Sequence, residues 1–377
     1  PAVGMHASGA AAYPQRSPRT RAGAAGAERV ASLRPFRTIT VSPTPGERMQ
    51  FIDNRGVTDA RVNLALEEHL LRSTRGTESY LLLYVNAPAI IIGRNQSTLE
   101  EINHEVVERR GVQVVRRISG GGAVYHDLGN LNFSVLTEYT PQRFNRYDEF
   151  TRPVIEVLRE LGVPAELGGR NDILVAGRKI SGNAQFTSRG RMLSHGTLLF
   201  DSRLDDVEEA LHPKLGTIES KGVKSVRSDV TNIADHLSAP LTLDEFRQRI
   251  LEKVFGGGGV PTYPLGEADW QATEELVRRK YATWEWNYGE SPPFNVQKTR
   301  RFAFGEIDLR LDIERGHVAH ARLSGDFLSA RAIGELERAL VGVRYTRADV
   351  AAALGALDVR ALCAGIEPQH LLELVYG

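Results

Sequence analysis

The run Arg116-Arg117-Ile118-Ser119-Gly120-Gly121-Gly122-Ala123-Val124-Tyr125-His126-Asp127 is where chemistry is easiest to imagine in this chain. Consecutive glycines let a backbone pass close to a ligand and turn its N–H groups toward an anion. The two arginines before them can pair with a carboxylate or a phosphate. The run lacks the Gly-Lys-Ser/Thr ending of a P-loop, so it is not that kind of nucleotide cradle. Taken alone, a glycine-rich turn between strands is more often a plain hairpin. A second concentration lies at Gly169-Arg170-Asn171-Asp172-Ile173 and Arg178-Lys179-Ile180-Ser181-Gly182-Asn183. Asp172 can hold Mg²⁺, and Lys179 can neutralise a phosphate or a carbonyl oxygen, with Gly182 allowing close backbone approach. The bland alternative is a turn followed by a solvated lysine. His195-Gly196-Thr197 opens a strand, and a lone histidine there is more often structural than catalytic. Ser220-Lys221-Gly222-Val223-Lys224-Ser225-Val226-Arg227-Ser228 is a basic loop, which can equally be a solvated one.

Composition narrows the field. The chain has 377 residues, of which 41% are hydrophobic and 25% charged, enough for one large domain and a smaller one. Lys plus Arg and Asp plus Glu both number 47, so no global basic field gathers nucleic acid or coats an anionic membrane. Aromatic residues, at 7%, are too sparse for base-stacking platforms. No run approaches the ~18 apolar residues of a membrane span. A single cysteine, Cys363, excludes an intrachain disulfide framework and a cysteine-based zinc cluster, which fits a reducing compartment.

These groups need elements to hold them. Residues 1–48 are rich in Ala, Gly, Pro, Ser and Arg and show no apolar periodicity, so they read as a disordered leader or extension. An Arg- and Ser-rich, acid-poor leader also has the composition of an organelle transit peptide. From Met49 the pattern is globular. Asn63 to Leu71 reads as an amphipathic helix, capped by Thr58 or Asp59. Tyr80 to Val85 and Ala89 to Ile92 read as strands, and Val112 to Arg117 and Ala123 to Leu136 as strands flanking the glycine turn. Pro153 to Leu161 reads as a helix with proline near its start. Ile173 to Val175 and Gly196 to Phe200 are further strands. Thr242 to Val254 is a helix with a capping-box start, and Trp270 to Tyr281 another. Beyond Pro292-Pro293, a meander and two helices, near Ala330 to Leu340 and Arg347 to Leu357, indicate a small α+β domain from about residue 298.

Each motif is weak alone. In this order and at these separations they resemble the lipoate–protein ligase family, within the biotin/lipoate ligase superfamily. The glycine stretch, Gly-Arg-Asn-Asp, Arg-Lys-Ile-Ser-Gly, His-Gly-Thr-Leu-Leu, the Lys-Gly-x-x-Ser-Val-Arg-Ser loop and Trp284-Glu285-Trp286-Asn287-Tyr288-Gly289 all match its pattern, from about Met49 to near the C-terminus. The resemblance implies an α+β fold: a catalytic domain of mixed sheets and helices over residues 49–297 and an accessory domain over 298–377. It implies that Arg117, Gly120, Gly121, Gly122, Ala123, Val124 and Tyr125 meet the nucleotide and acyl group, and that Lys179 meets both acyl carbonyl and phosphate. Tyr84 then stands as an aromatic wall for the lipoyl tail, with Ser119 and His126 in the same pocket. Asn171, Asp172, Ser181, Gly182, His195, Gly196 and Thr197 complete it, and Asp172 is the metal candidate. Asp229 stands where the family commonly carries a basic residue, and the leader has no counterpart.

The implied activity uses ATP, Mg²⁺ and lipoate. Lipoate attacks the α-phosphate to form lipoyl-AMP, and a lysine of a carrier then takes the lipoyl group. The implied carriers are apo lipoyl domains of 2-oxoacid dehydrogenase E2 subunits and the glycine-cleavage H protein; neither nucleic acid nor membrane is expected. The expected compartment is the cytoplasm, with the mitochondrial matrix as the alternative. Rival readings are a lipoyltransferase using preformed lipoyl-AMP, a catalytically silent lipoate-binding scaffold, and a cysteine-dependent octanoyltransferase. The last needs a thiolate near the acyl group, and Cys363 lies far along the chain in the small domain. Biotin ligation is disfavoured because its own arginine-glycine loop is not what stands here.

Overall fold

The structure, a computed structural model, describes residues 48–376 apart from 170, 212–216, 221–222, 226–227, 258, 303–304, 325–329 and 360–366. The leader expected over 1–48, all but its last residue, lies outside the described residues, as do Arg170, Lys221, Gly222, Val226, Arg227 and Cys363.

Strand β2 (Ser79–Val85) is an apolar run because both of its faces are covered. Its side chains alternate: Leu81 and Leu83 enter one core, Tyr80, Leu82 and Tyr84 another. It lies inside an eight-stranded mixed sheet. The order is β12 (Thr262–Tyr263), β1 (Met49–Ile52), β2, β6 (Asn130–Glu138), β10 (Arg191–Leu199), β9 (Arg178–Ser188), β8 (Asp172–Val175) and β7 (Ala165–Gly168). The first three are parallel to one another and the rest run antiparallel. On one face, helices α4 (Tyr147–Glu160) and α6 (Leu243–Phe255) bury Phe150, Val154, Leu158, Phe246 and Ile250 against Leu83, Phe133 and Val135. On the other face, α1 (Ala60–Ser73) packs Leu64, Leu66, Leu70 and Leu71. A small sheet of β4 (Gln113–Arg116), β3 (Ala89–Ile92) and β5 (Val124–His126) carries the glycine turn between β4 and β5.

Several expectations stand. Asp59 caps α1 by accepting from the Arg61 N–H at 2.8 Å. Thr242 and Glu245 close a reciprocal capping box on α6, with bonds of 3.2 and 2.8 Å. One expectation fails for a physical reason, and one strand goes unforeseen. Pro153 does not open its helix but lies inside α4. Its missing N–H and bulky ring cost stability there, yet Tyr147, Phe150, Val154 and Val157, spaced three and four apart, all bury their side chains and hold the extra turn. The segment after Arg178, to which the sequence assigns no element, is the long strand β9, whose Ser, Gly, Asn and Thr residues conceal a strand register.

The accessory layer is a four-stranded sheet, β11 (Thr217–Ser220), β13 (Phe294–Phe302), β14 (Gly305–Glu314) and β15 (His317–Ser324). It is packed by helices over Ala330–Leu340, Arg347–Gly355 and Pro368–Tyr376, the last not anticipated. Residue 298 falls inside β13, and β11, from the basic-loop region, pairs with that strand.

Candidate active site

Between the α1 face of the large sheet and the β3–β5 sheet lies a cleft of about 460 Å³. Arg117 builds one wall. Its guanidinium donates to the carbonyls of Ile91 (3.0 Å), Gly120 (2.6 Å) and Gly122 (2.8 Å) and to Ser119 Oγ (3.1 Å). Those bonds fold the glycine turn back over the guanidinium, and Gly121 takes a φ of +94° that a Cβ would strain. Burial pulls the Arg117 pKa down to about 10, which still leaves the group charged at neutral pH. Arg116, read from sequence as a second anion ligand, is turned the opposite way. It is wholly buried and is spent on backbone carbonyls and hydroxyls of residues 93–98 and 286–291. Adjacent residues at a strand end point to opposite faces, so only one of the two arginines can face the cleft.

Lys179 and Asp172 face each other on β9 and β8, with Nζ 2.9 Å from Oδ1. Both line the cleft together with Asn171, Gly182, Gly196 and Thr197. The Lys179 backbone is fixed to the end of the basic loop: its N–H donates to the Asp229 carbonyl at 2.8 Å, and Thr231 N–H returns to its carbonyl at 3.0 Å. Asp229, the position that departs from the family pattern, thus contributes through its main chain here, while its carboxylate accepts from Arg178. Ser225 docks the same loop on the glycine turn: Ala123 N–H donates to its Oγ at 2.8 Å, and Glu101 accepts from its hydroxyl.

The cleft floor is a buried hydrogen-bond chain. Glu67 of α1 accepts from Tyr84 Oη (3.0 Å), from Ser134 Oγ, and from His195 Nδ1 (3.0 Å). With that proton on Nδ1, His195 Nε2 accepts from the Ser119 hydroxyl at 2.7 Å. Burial, then the Glu67 charge, holds the Tyr84 phenol far above its usual range, so it stays protonated. Ser119, His195 and Glu67 stand in the order of an acyl-hydrolase triad. Ser119, however, has no exposed surface and does not line the cleft. The chain therefore orients the imidazole and does not present a nucleophile.

Of the expected residues, Tyr84, Arg117, Gly121, Gly122, Ala123, Val124, His126, Asn171, Asp172, Lys179, Gly182, His195, Gly196 and Thr197 are gathered at the cleft. Four are not. Tyr125 alternates away from Val124 and His126 into the core with Ile90, Ile92 and Val107. Gly120 turns its carbonyl to Arg117, Ser119 lies behind the wall, and the buried Ser181 accepts from Asn183 Nδ2 at 3.1 Å. Sequence reasoning missed Glu67, Asn132, Asn183 and Leu64. A signal existed for two of them. In β6, Asn130, Asn132 and Ser134 alternate with Leu131, Phe133 and Val135, and Glu67 interrupts the apolar face of α1. Polar residues at strand or helix periodicity on a buried face mark a lined cavity. Among the described residues no three His, Cys, Asp or Glu side chains converge as a metal cage.

The family description "Lipoyl protein ligase A/B catalytic domain" matches residues 59–255, and "Bacterial lipoate protein ligase C-terminus" matches 291–375. Lipoate-protein ligase LplJ of Bacillus subtilis (strain 168) is 48% identical over 331 residues, covering 87% of this chain and 100% of that protein. The chain belongs to the lipoate–protein ligase family. Among solved structures, the bi-partite lipoate protein ligase of Thermoplasma acidophilum, described with its E2 lipoyl domain, aligns with a TM-score of 0.54 at 27% identity. That match covers 65% of this chain and 96% of the other. A lipoate-protein ligase A bound with ATP aligns with a TM-score of 0.53 at 27% identity, covering 65% and 99%. Both relatives support the α+β lipoate-ligase fold, and no described helix is long and apolar enough to cross a membrane.

Proposed function

We propose that this lipoate–protein ligase activates lipoate with ATP to lipoyl-AMP and transfers the lipoyl group to a lysine of a carrier lipoyl domain. The observation that carries this reading is that one cleft holds three parts together. These are an apolar wall of Leu64, Tyr84 and Ile91, the backbone turn Gly121 to Ala123, and Lys179 beside Asp172. The apolar wall suits an acyl tail, and the turn suits phosphate oxygens. Lys179 suits the junction, where charge develops on the phosphate in the first step and on the acyl oxygen in the second. Carboxylate attack on the α-phosphate releases pyrophosphate. Amine attack on the mixed anhydride then releases AMP, a good leaving group, so positioning outweighs a strong base. Mg²⁺ is bound by hard oxygens, commonly one or two carboxylates plus substrate phosphates, and Asp172 supplies one such carboxylate. When bound, the ion neutralises phosphate charge.

The ATP-bound relative supports the nucleotide, and the Thermoplasma ligase described with its E2 lipoyl domain supports the acceptor class. E2 lipoyl domains and the glycine-cleavage H protein are the proposed acceptors, and the cytoplasm is the proposed compartment. Intact-mass analysis after incubation with ATP, Mg²⁺, lipoate and an apo lipoyl domain tests the reading. A lipoylated product that requires ATP is expected. Product formed only from supplied lipoyl-AMP marks a transferase, and none from either source ends the proposal. Cys363→Ser is expected to keep near-normal turnover, measured by the same assay. A thioester trapped on Cys363 would establish the octanoyltransferase mechanism instead.

A further inference from the structure

The tail end of the cleft holds a polar atom whose state can be worked out from its neighbours. His126 lines the cleft yet is only 3% exposed. A chain of buried asparagines sets its tautomer. Asn54 and Asn63 each donate through Nδ2 to the Val57 carbonyl, at 2.8 and 2.9 Å. A carbonyl only accepts, so both amide orientations are settled. Asn63 Nδ2 also donates to Asn86 Oδ1 at 2.8 Å, which leaves Asn86 Nδ2 as the donor to His126 Nδ1 at 2.9 Å. The imidazole proton therefore sits on Nε2. Burial, then the charge of Arg117, pushes the His126 pKa down to about 3, so the ring stays neutral. Among the described residues, Nε2 has no hydrogen-bond partner.

Two polar residues that share the cleft lining with it, Tyr84 and Asn132, are committed elsewhere. Tyr84 Oη donates to Glu67, Asn132 Nδ2 to the Tyr84 carbonyl at 3.3 Å, and Asn132 Oδ1 accepts from Asn130 at 2.9 Å. Tyr84 lies on β2 and Lys179 on β9, three strand spacings away through β6 and β10. At sheet spacing that is about 14 Å between the chemical end and the tail end of the cleft. His126 hydrogen-bonds to Asn86, just beyond β2, so it belongs to the tail end.

We propose that His126 Nε2–H selects the acyl tail by donating to a sulfur of the lipoyl dithiolane, so that the site prefers lipoate to octanoate. This rests on the ligase reading above. Nε2–H is already shielded from solvent, so the donor needs an acceptor that the substrate can bring to it. Thioether-like sulfur is a weak acceptor on an otherwise apolar tail, whereas the octanoyl terminus is a methyl group with none. A site built around a buried donor discriminates against the analogue that leaves it unpaired.

The test compares kcat/KM for lipoate and octanoate, with ATP and an apo lipoyl domain, in full-length wild type, His126→Phe and His126→Gln. The Phe variant keeps a flat ring without N–H, and Gln restores a terminal N–H. The lipoate-over-octanoate ratio should fall about two- to tenfold in His126→Phe, the worth of one modest hydrogen bond. It should recover in His126→Gln. An unchanged ratio in folded His126→Phe overturns the proposal, and so does a ratio that falls equally in both variants. If His126→Phe does not fold, imidazole NMR of the wild type decides. The Nε2–H resonance should shift with lipoate and less with octanoate, and equal shifts overturn the assignment. Failure of wild type to use either acid would instead sink the ligase reading.

Discussion

Replacing Lys179 with alanine is expected to slow lipoate activation by about a hundred- to a thousandfold, and transfer from supplied lipoyl-AMP by a comparable factor. That is the usual cost of removing one preorganised donor to a developing oxyanion. On the proposed mechanism the same ammonium would serve both steps, because negative charge would appear at one junction, first on the phosphorus oxygens and then on the acyl oxygen. The fold holds it there rigidly. Its backbone is zipped to residues 229–231 on one side, and its side chain lies against Asp172 and close to the Gly182 Cα. Stability should barely change, since a partly exposed Lys–Asp pair contributes little. Lys179→Arg should rescue poorly, because a planar fork does not place its charge at the point a compact ammonium occupies. Arg178 is the control. It alternates to the outer face, where it pairs with Asp229 and the Val230 carbonyl, and Arg178→Ala should stay close to wild type. Pyrophosphate release and acceptor mass measure the two steps separately. If Lys179→Ala lies within about threefold of wild type in both, far below the worth of an oxyanion donor, the role assigned to it is wrong.

The contrast between Arg178 and Lys179 shows what sequence can and cannot reveal here. Alternation in a strand says that the two point to opposite faces. It does not say which face carries the cleft, and β9 was hidden because its Gly, Asn, Ser and Thr residues carry no apolar period. Local signals were legible: the Thr242–Glu245 box, the doubly buried run of β2 and the glycine turn are each written in neighbouring residues. Long-range pairings were not. Glu67 meets His195, and Ser225 meets Glu101 and Ala123, only once α1, β10 and the basic loop are packed together. Pro153 marks the same limit from the other side, since a strong local rule yielded to the apolar face on either side of it.

Arg116→Met is expected to produce the largest loss of stability of any single change near the site. The guanidinium is wholly buried, and every hydrogen bond described for it goes to a carbonyl or hydroxyl oxygen rather than a carboxylate. It binds the carbonyls of Gly93 (2.9 Å), Arg94 (3.2 Å) and Gln96 (2.8 Å) on one segment. On the other segment it binds those of Trp286 (3.0 Å) and Asn287 (3.3 Å), with Thr98 Oγ1 and Ser291 Oγ completing the set. Its own backbone joins in: Asn287 Oδ1 accepts from its N–H, and Trp286 Nε1 donates to its carbonyl. Burial, and after it the charge of Arg94, pulls its pKa down to about 10, so it is charged at neutral pH and remains bound by dipoles. Methionine fills similar volume but supplies no donor, leaving several buried carbonyls unpaired at about 1–3 kcal/mol each before relaxation. A net loss of roughly 3–5 kcal/mol is expected, comparable to breaking a buried charge network. Because Gln96 also accepts from Gly93 N–H and donates to Ser225, loosening this knot should release the basic loop from the glycine turn. Amide hydrogen exchange at residues 93–98, 223–225 and 286–291 should therefore rise together, alongside a thermal midpoint lower by on the order of 5–10 °C. Faster exchange confined to residues 286–291, with 223–225 as protected as in wild type, would show that Arg116 holds the junction segment without reaching the loop over the cleft.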